Sequence, residues 1–410
     1  DGDFNDLANR INQFLSHVAD DLQPLSDDFL SNLHVGTEFL EDFIIYPSMV
    51  ELKLSNISVN KAPGPDLIPN WFLKEMATFI TNPVCAIFNA SIRQGFVPDI
   101  WKRANVIPIP KSHPPKTIHS DLRPISLTST LCKILESFVG RWILDRIQGQ
   151  LDPNQFGALR GRSTSHALVS ITDLWCQSLD SGGSVRTVFV DYTKAFDRVD
   201  HTLLLNKLLA LGVPHPLLKW FFSFLKDRSQ RIKIRNTFSD WIKLTAGMPQ
   251  GTWLGPLSFV TVINDLQPAC PVHKFVDDTT LTETFRSLAI PSSMSHYTDQ
   301  LVQWSANNLM KINYSKTKEM LLGRITSNPP SALIIEGNTI ERVDCFKLLS
   351  VIISSDLRWG PHVDNICSKV NSKLYTLKQL KRAGLSADDL LRFYTTAVRP
   401  ILEYGCVVWD

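Results

Sequence analysis

This sequence predicts an α+β fold, and three observations carry that reading. Apolar residues recur at helical spacing over several stretches, beginning with Phe4, Leu7, Ile11, Phe14, Leu15 and Val18. Short apolar strands and a period-two run intervene, the clearest from Ser229 to Trp241, where Arg231, Lys233 and Arg235 alternate with Ile232 and Ile234. Two acidic elements interrupt such strands. Val188 to Asp200 sets Asp191 at the open end of a short apolar strand, and Lys274 to Leu281 sets Asp277 and Asp278 between two halves of a hairpin.

A chain of 410 residues exceeds one core of the usual size, so two or three subdomains are expected. Lys and Arg, 42 together, nearly balance 40 Asp and Glu, so only local clusters argue for a nucleic-acid surface. The 7 cysteines are scattered and form no Cys-x-x-Cys pair. That argues against a disulfide framework or a zinc site and for a reducing compartment. No apolar run reaches the length of a membrane span, and the first residues lack the basic start and apolar core of a signal peptide. Starting without Met and stopping at Trp409-Asp410 directly after an apolar stretch, the chain is expected to be a fragment of a longer polypeptide.

In chain order, Asp3 to Leu33 predicts an amphipathic helix and an irregular acidic connection, and Val50 to Leu54 a short strand or turn. Two prolines around a glycine make Lys61-Ala-Pro-Gly-Pro-Asp66 a rigid loop. Helical periodicity returns from Ile68 to Arg93. Lys102, Arg103 and Lys111 bracket a short strand, Arg123 heads another strand or turn, and Arg160 and Arg162 flank Gly161. Cations so presented suit phosphates, although a single Lys or Arg is more often plain surface charge.

Leu131 to Gln150 and Thr164 to Leu179 read as helices, and Ser181-Gly-Gly-Ser184 turns into the strand that bears Asp191. His201 to Leu211 is a helix closed by Gly212, and Leu217 to Leu225 is an aromatic-rich one. Ser229 to Trp241 forms a half-exposed hairpin with a basic face. Gly247 to Pro256, rich in glycine and proline, lets backbone approach a ligand closely before an apolar helix. Beyond the acidic hairpin come a helix with Leu301, Trp304, Leu309 and Met310, a strand at Met320 to Leu322, and short strands near Leu333 and from Phe346 to Ile353. From His362 the pattern is a separate basic helical subdomain carrying Lys369, Lys373, Lys378, Lys381 and Arg382.

Asp191, Asp277 and Asp278 on adjacent strands suit Mg²⁺, a hard cation held by one or two carboxylates together with substrate phosphates. Two such ions about 3.5–4 Å apart activate an attacking hydroxyl and stabilise a leaving oxygen, which is nucleotidyl-transfer chemistry. The plain alternative is that Asp191 caps the following helix and Asp277-Asp278 merely turn a hairpin, although Asn-Gly or Asp-Gly is the favoured tip. Phe196 either lies beneath an incoming sugar, excluding a 2′-hydroxyl by overlap, or is a core aromatic. Lys316 or Lys318 either serves a leaving pyrophosphate with a proton or a charge, or faces solvent.

The segments that carry these residues stand in a recognisable order. Lys61-Ala-Pro-Gly-Pro-Asp66, Leu122-Arg-Pro-Ile-Ser-Leu127 and Gln155-Phe-Gly157 with Gly161-Arg-Ser-Thr164 come first. Phe189-Val-Asp-Tyr-Thr-Lys-Ala-Phe-Asp197, Pro249-Gln-Gly251 with Leu254-Gly-Pro256, Asn264-Asp-Leu266, Phe275-Val-Asp-Asp278 and Ser315-Lys-Thr-Lys318 follow. From about Lys61 to Trp409 the chain resembles the reverse transcriptase of non-LTR (LINE-type) retrotransposons.

That resemblance implies a right-hand polymerase of fingers, palm with an antiparallel sheet and helical thumb, which copies an RNA template from a DNA primer 3′-hydroxyl with dNTPs. It implies a helical extension over 1–55, fingers with the start of the palm over 56–185, palm over 186–359 and a truncated thumb over 360–410. Asp191, Asp277 and Asp278 become the palm ligands of Mg²⁺, with Mn²⁺ as a substitute, and Lys316 the motif lysine. Lys111 and Arg123 become the finger cations on the triphosphate and Phe196 the sugar gate, with Tyr192, Gln250 and Gly251 also at the nucleotide. The basic helices after His362 grip the minor groove of an A-like hybrid.

An endonuclease domain is expected on the same parent polypeptide, nothing in this chain resembles one, and the implied location is intracellular and nuclear with no membrane partner. The sequence departs from the family pattern at Phe275-Val-Asp-Asp278 (commonly Tyr-Ala-Asp-Asp), at Thr252 for serine, at Leu159 for a basic residue and at Ser350 for a glycine of the primer-contacting hairpin. Rival readings are a catalytically decayed RNA-binding relic, a polymerase for ribonucleotides, which Phe196 disfavours, and a group II intron maturase-like protein.

Overall fold

A computed structural model describes residues 4–31, 33, 42–111, 114–115, 117–118, 121–286 and 291–409. Helices and short strands alternate along it in the mixture of an α+β fold. The chain forms two compact units from interleaved segments: Asp1–Asp152, Lys194–Asp265 and Ala306–Lys311 make the first, and Pro153–Thr193, Leu266–Ser305 and Ile312–Asp410 the second.

In the first unit, helix Phe4–Ser16 lays Ala8, Ile11 and Leu15 against Ala104, Val106, Leu122 and Ile232, one stripe at helical spacing. Those partners belong to a sheet in which Arg103–Pro110 pairs antiparallel with Leu122–Leu127 and parallel with Ser229–Ile234. Thr237–Phe238 closes the expected basic hairpin. Pro47–Ser55 is a helix, where a strand or turn was expected at Val50 to Leu54. Pro47 pre-sets the first helical turn, and Val50 and Leu54, four apart, bury one side. Helix Thr130–Ile147, helix His201–Ala210, helix His215–Leu225 and helix Leu254–Ile263 complete this unit's apolar interior. Asp200 caps His201–Ala210, its Oδ1 accepting from Leu203 N at 2.7 Å, so the cap of that helix is not Asp191.

The second unit is organised on Ser184–Val190, buried along its whole length. It is the middle strand of a five-stranded sheet ordered Glu341–Arg342, Lys318–Gly323, Ser184–Val190, Asp278–Phe285, Val272–Phe275. Helix Thr164–Asp180 packs Leu168, Ile171 and Trp175 against Val185, Phe189 and Met320 of that sheet. The buried Glu319 carboxylate is matched by two guanidiniums, Arg186 Nε at 2.6 Å and Arg342 Nε at 2.7 Å, as a charge out of water requires. A second hairpin, Cys345–Leu348 with Val351–Ser354, joins the same core, and its Phe346 ring stacks on Phe189 with centroids 3.9 Å apart.

Helix Gly360–Arg382 follows, with Ile366 and Val370 turned to Val398 and its five basic residues Lys369, Lys373, Lys378, Lys381 and Arg382 exposed. Helix Met294–Asn307 stops short of the expected Leu309 and Met310, because Leu309 takes a φ of +57°. Among the described residues no helix is long and apolar enough to cross a membrane.

Candidate active site

Asp191 directly follows the central strand. The antiparallel register pairs Val190 with Thr279, and one further step sets Asp191 against Asp278. Phe275 pairs with Asp278, so Val276 and Asp277 form the tip of the acidic hairpin. The Asp191 backbone is fixed at both ends: its carbonyl accepts from Asn313 N at 2.8 Å, and its N–H donates to Thr317 Oγ1 at 3.3 Å. Asn313 Oδ1 also accepts from Lys316 N, and Lys316 Nζ reaches to 4.0 Å from Asp191 Oδ2. Lys318 instead holds Glu341 at 2.6 Å, so of the two candidate lysines Lys316 is the one beside Asp191.

Desolvation among surrounding protein atoms, then the Asp277 and Asp191 carboxylates, pushes Asp278 up to about 6. Part of its surface stays open to water, so the like-charge contribution is the firmer cause. Among the described residues no group of three His, Cys, Asp or Glu is arranged as a ready metal cage. Mg²⁺ does not demand one, because phosphates and water complete its shell. The donor set fits such an ion: the groups are hard oxygens whose mutual repulsion a cation relieves.

The tip itself is strained. Val276, a β-branched residue, holds a φ of +58°, a conformation in which its Cβ crowds the backbone. Its N–H is captured by Gln155 Oε1 at 2.9 Å, which also accepts from Gly157 N at 2.8 Å. Lys274 N donates to Asn154 O and Phe156 N to Lys274 O, so residues 154–156 run along the hairpin like a short added strand. Gly157 has no room for a Cβ, which would stand 2.5 Å from Val276 N. Sequence reasoning gave Gln155 and Gly157 no task, since nothing local signals a contact so far along the chain.

The remaining candidates lie in the first unit. Lys111 closes the hairpin of Arg103–Pro110 and Leu122–Leu127 with its N–H on Asp121 O at 2.7 Å, and Arg123, paired with Ile109, is exposed. Gln250 O accepts from Ser126 N at 2.9 Å, which docks the glycine-rich loop on the same hairpin. Gly251 takes a φ of +113°, with Ser126 O only 3.3 Å from where a Cβ would sit. Gln250 Nε2 donates to Asp197 Oδ1 at 3.3 Å. Burial pushes the Asp197 carboxyl up, against the opposing pull of Lys194, Gln250 and Lys111. Phe196 stacks on Phe259 with centroids 5.3 Å apart, and its carbonyl accepts from Met248 N. Behind the loop, fully buried Glu136 accepts from Trp253 N at 3.0 Å and Leu254 N at 3.4 Å, serving the start of helix Leu254–Ile263.

Three of the side chains considered for ligand contact are engaged within the protein. Tyr192 is 5 % exposed, its ring against Trp304, because successive strand residues face opposite ways and Asp191 takes the open side. Lys102 is buried with Asp99 at 3.4 Å and its ammonium over the Phe96 ring. Arg162 spends its guanidinium on the carbonyls of Pro153 and Gln155, supporting the segment that holds Val276.

Residues 109–353 match the family model described as "Reverse transcriptase (RNA-dependent DNA polymerase)". The chain is 28% identical over 374 residues to the "Probable RNA-directed DNA polymerase from transposon BS" of Drosophila melanogaster, the organism also of the next two relatives. It is 27% identical to the "RNA-directed DNA polymerase from mobile element jockey" and 26% identical to that of transposon X-element. These alignments cover 87%, 90% and 97% of this chain but 41%, 43% and 46% of the relatives, so the chain spans less than half their length.

Proposed function

This chain belongs to the reverse transcriptase (RNA-dependent DNA polymerase) family, and we propose that it is the RNA-directed DNA polymerase of a non-LTR retrotransposon. It extends a DNA primer 3′-hydroxyl on an RNA template with dNTPs. The observation that carries this reading is the placing of Asp191 against Asp278, with Asp277 at the adjoining tip and Asp278 pushed up to about 6. Two Mg²⁺ ions, replaceable by Mn²⁺, would be held by these carboxylates with the substrate phosphates, and would supply activation of the hydroxyl and charge stabilisation at the leaving pyrophosphate.

Lys316, its Nζ 4.0 Å from Asp191 Oδ2, would serve the leaving group with a proton or its charge. Lys111 and Arg123 bind the triphosphate, Phe196 excludes a 2′-hydroxyl, and Gln250 with Gly251 bears on the nascent base pair. In this reading 1–55 is a helical extension, 56–185 the fingers with the start of the palm, 186–359 the palm and 360–410 the thumb, whose exposed lysines meet hybrid phosphates. A nuclear location and an endonuclease on the parent polypeptide belong to the same proposal.

The test is primer extension on an RNA template with Mg²⁺ or Mn²⁺. Incorporation of dNTPs over ribonucleotides is expected, and Phe196→Ala is expected to erode that preference by about tenfold or more, as removal of a steric exclusion does. Hybrid binding without any incorporation would instead identify a decayed RNA-binding relic.

A further inference from the structure

The second hairpin, Cys345–Ser354, is tipped by Leu349 and Ser350 at φ +43° and +73°. Two successive left-handed residues are the signature of a turn that Asn-Gly or Gly-Gly makes without strain. Neither residue here is glycine or asparagine, so the turn must be held from outside. The structure places one side chain to do so. Tyr404 Oη donates to Leu349 O at 2.9 Å and stands 3.1 Å from Thr164 Oγ1, at the start of helix Thr164–Asp180. Tyr404 is itself fixed through its carbonyl, which accepts from Trp409 Nε1 at 2.9 Å, and Trp409 packs edge-on against His362. On its other side the turn matters to the carboxylates: Leu348 and Leu349 line one narrow cleft with His273, Lys274 and Asp278.

We propose that Tyr404 is a positioning residue that locks the Leu349–Ser350 turn beside Asp278 and thereby fixes where the primer terminus meets the carboxylates. This rests on the polymerase reading for its consequence, although not for the lock itself. Tyr404→Phe removes the hydroxyl's contacts with Leu349 O and Thr164 Oγ1 and keeps the ring, and Ser350→Gly relieves the strain at one of the two left-handed residues that the hydroxyl restrains.

In single-turnover extension on a primer–RNA hybrid, Tyr404→Phe is expected to lower kcat by up to about tenfold, the range of one hydrogen bond. The KM for dNTP is expected to stay within about twofold, since no contact to the nucleotide is touched. In the Ser350→Gly background the same substitution should cost no more than about twofold. An unchanged kcat, an equal loss in both backgrounds, or a dNTP KM that moves as far as kcat would overturn the proposal.

Amide hydrogen exchange over 345–354 reads the lock without catalysis. Several-fold faster exchange at this hairpin in Tyr404→Phe is expected, and unaltered protection contradicts the lock. If the unsubstituted protein extends no primer while exchange still responds to Tyr404, the polymerase reading fails and the lock stands.

Discussion

The second unit presents two hairpin tips of equal length, Val276-Asp277 and Leu349-Ser350, each forced through left-handed backbone by residues that disfavour it. Both are held by a side chain far away in sequence, Gln155 on an N–H in the first and Tyr404 on a carbonyl in the second. They differ in charge. The acidic tip stands among three carboxylates and is therefore strained twice, sterically at Val276 and electrostatically at Asp278. The other tip is uncharged and strained only in its backbone. Strain at one tip should thus respond to pH and cations, and at the other to neither.

The largest effect that separates them is on chemistry. Asp278→Asn is expected to reduce extension by roughly 10³-fold or more, the several kcal/mol that cation-held charge stabilisation contributes, whereas no substitution at Leu349 or Ser350 approaches this. Next in size, Gln155→Leu frees the Val276 N–H and is expected to lower kcat by about 10²-fold through misplacement of the tip, with hybrid affinity unchanged in a filter-binding titration.

Stability provides smaller contrasts. Asp278's charged form is disfavoured in the folded protein, because its folded value lies above the ordinary 3.8. The destabilisation is therefore present above about 6 and relieved as pH falls from there toward 3.8. In chelator, Asp277→Asn should raise stability at pH 8 by on the order of 0.5–1 kcal/mol after solvent screening, and the gain should vanish near pH 4 in a denaturant titration. Ser350→Gly should stabilise by about 0.5–1 kcal/mol, the left-handed penalty less the entropy glycine loses, equally at both pH values.

Much of this arrangement was legible in the sequence. Asp191 at a strand end and an acidic pair in a hairpin are local patterns, although the tip falls one residue earlier than expected, at Val276-Asp277 with Asp278 paired to Phe275. The glycine expected where Ser350 stands comes from the family resemblance. The period-two rule already turns Tyr192 away from the face of Asp191, so its burial follows from a principle that the family resemblance overrode. Lys102 differs: Phe96 and Asp99, within a few residues, give it an aromatic face and a counter-ion, but only folding shows that it leaves the surface. Gln155 was visible only as part of a family motif with no task attached, and Glu136 and Tyr404 were not legible at all. Each acts on backbone groups brought near by tertiary packing, 121, 118 and 55 residues away, and no periodicity encodes such a pairing.

Extension rate and primer–RNA hybrid affinity, measured for the unsubstituted protein and Asp277→Asn in the same buffer, test the catalytic role of the carboxylates most directly. Because the substitution removes cation-binding charge at the tip and no phosphate contact, extension should be lost while the Kd for hybrid stays within about twofold. Equal loss of both, or extension that survives in Asp277→Asn, would contradict it.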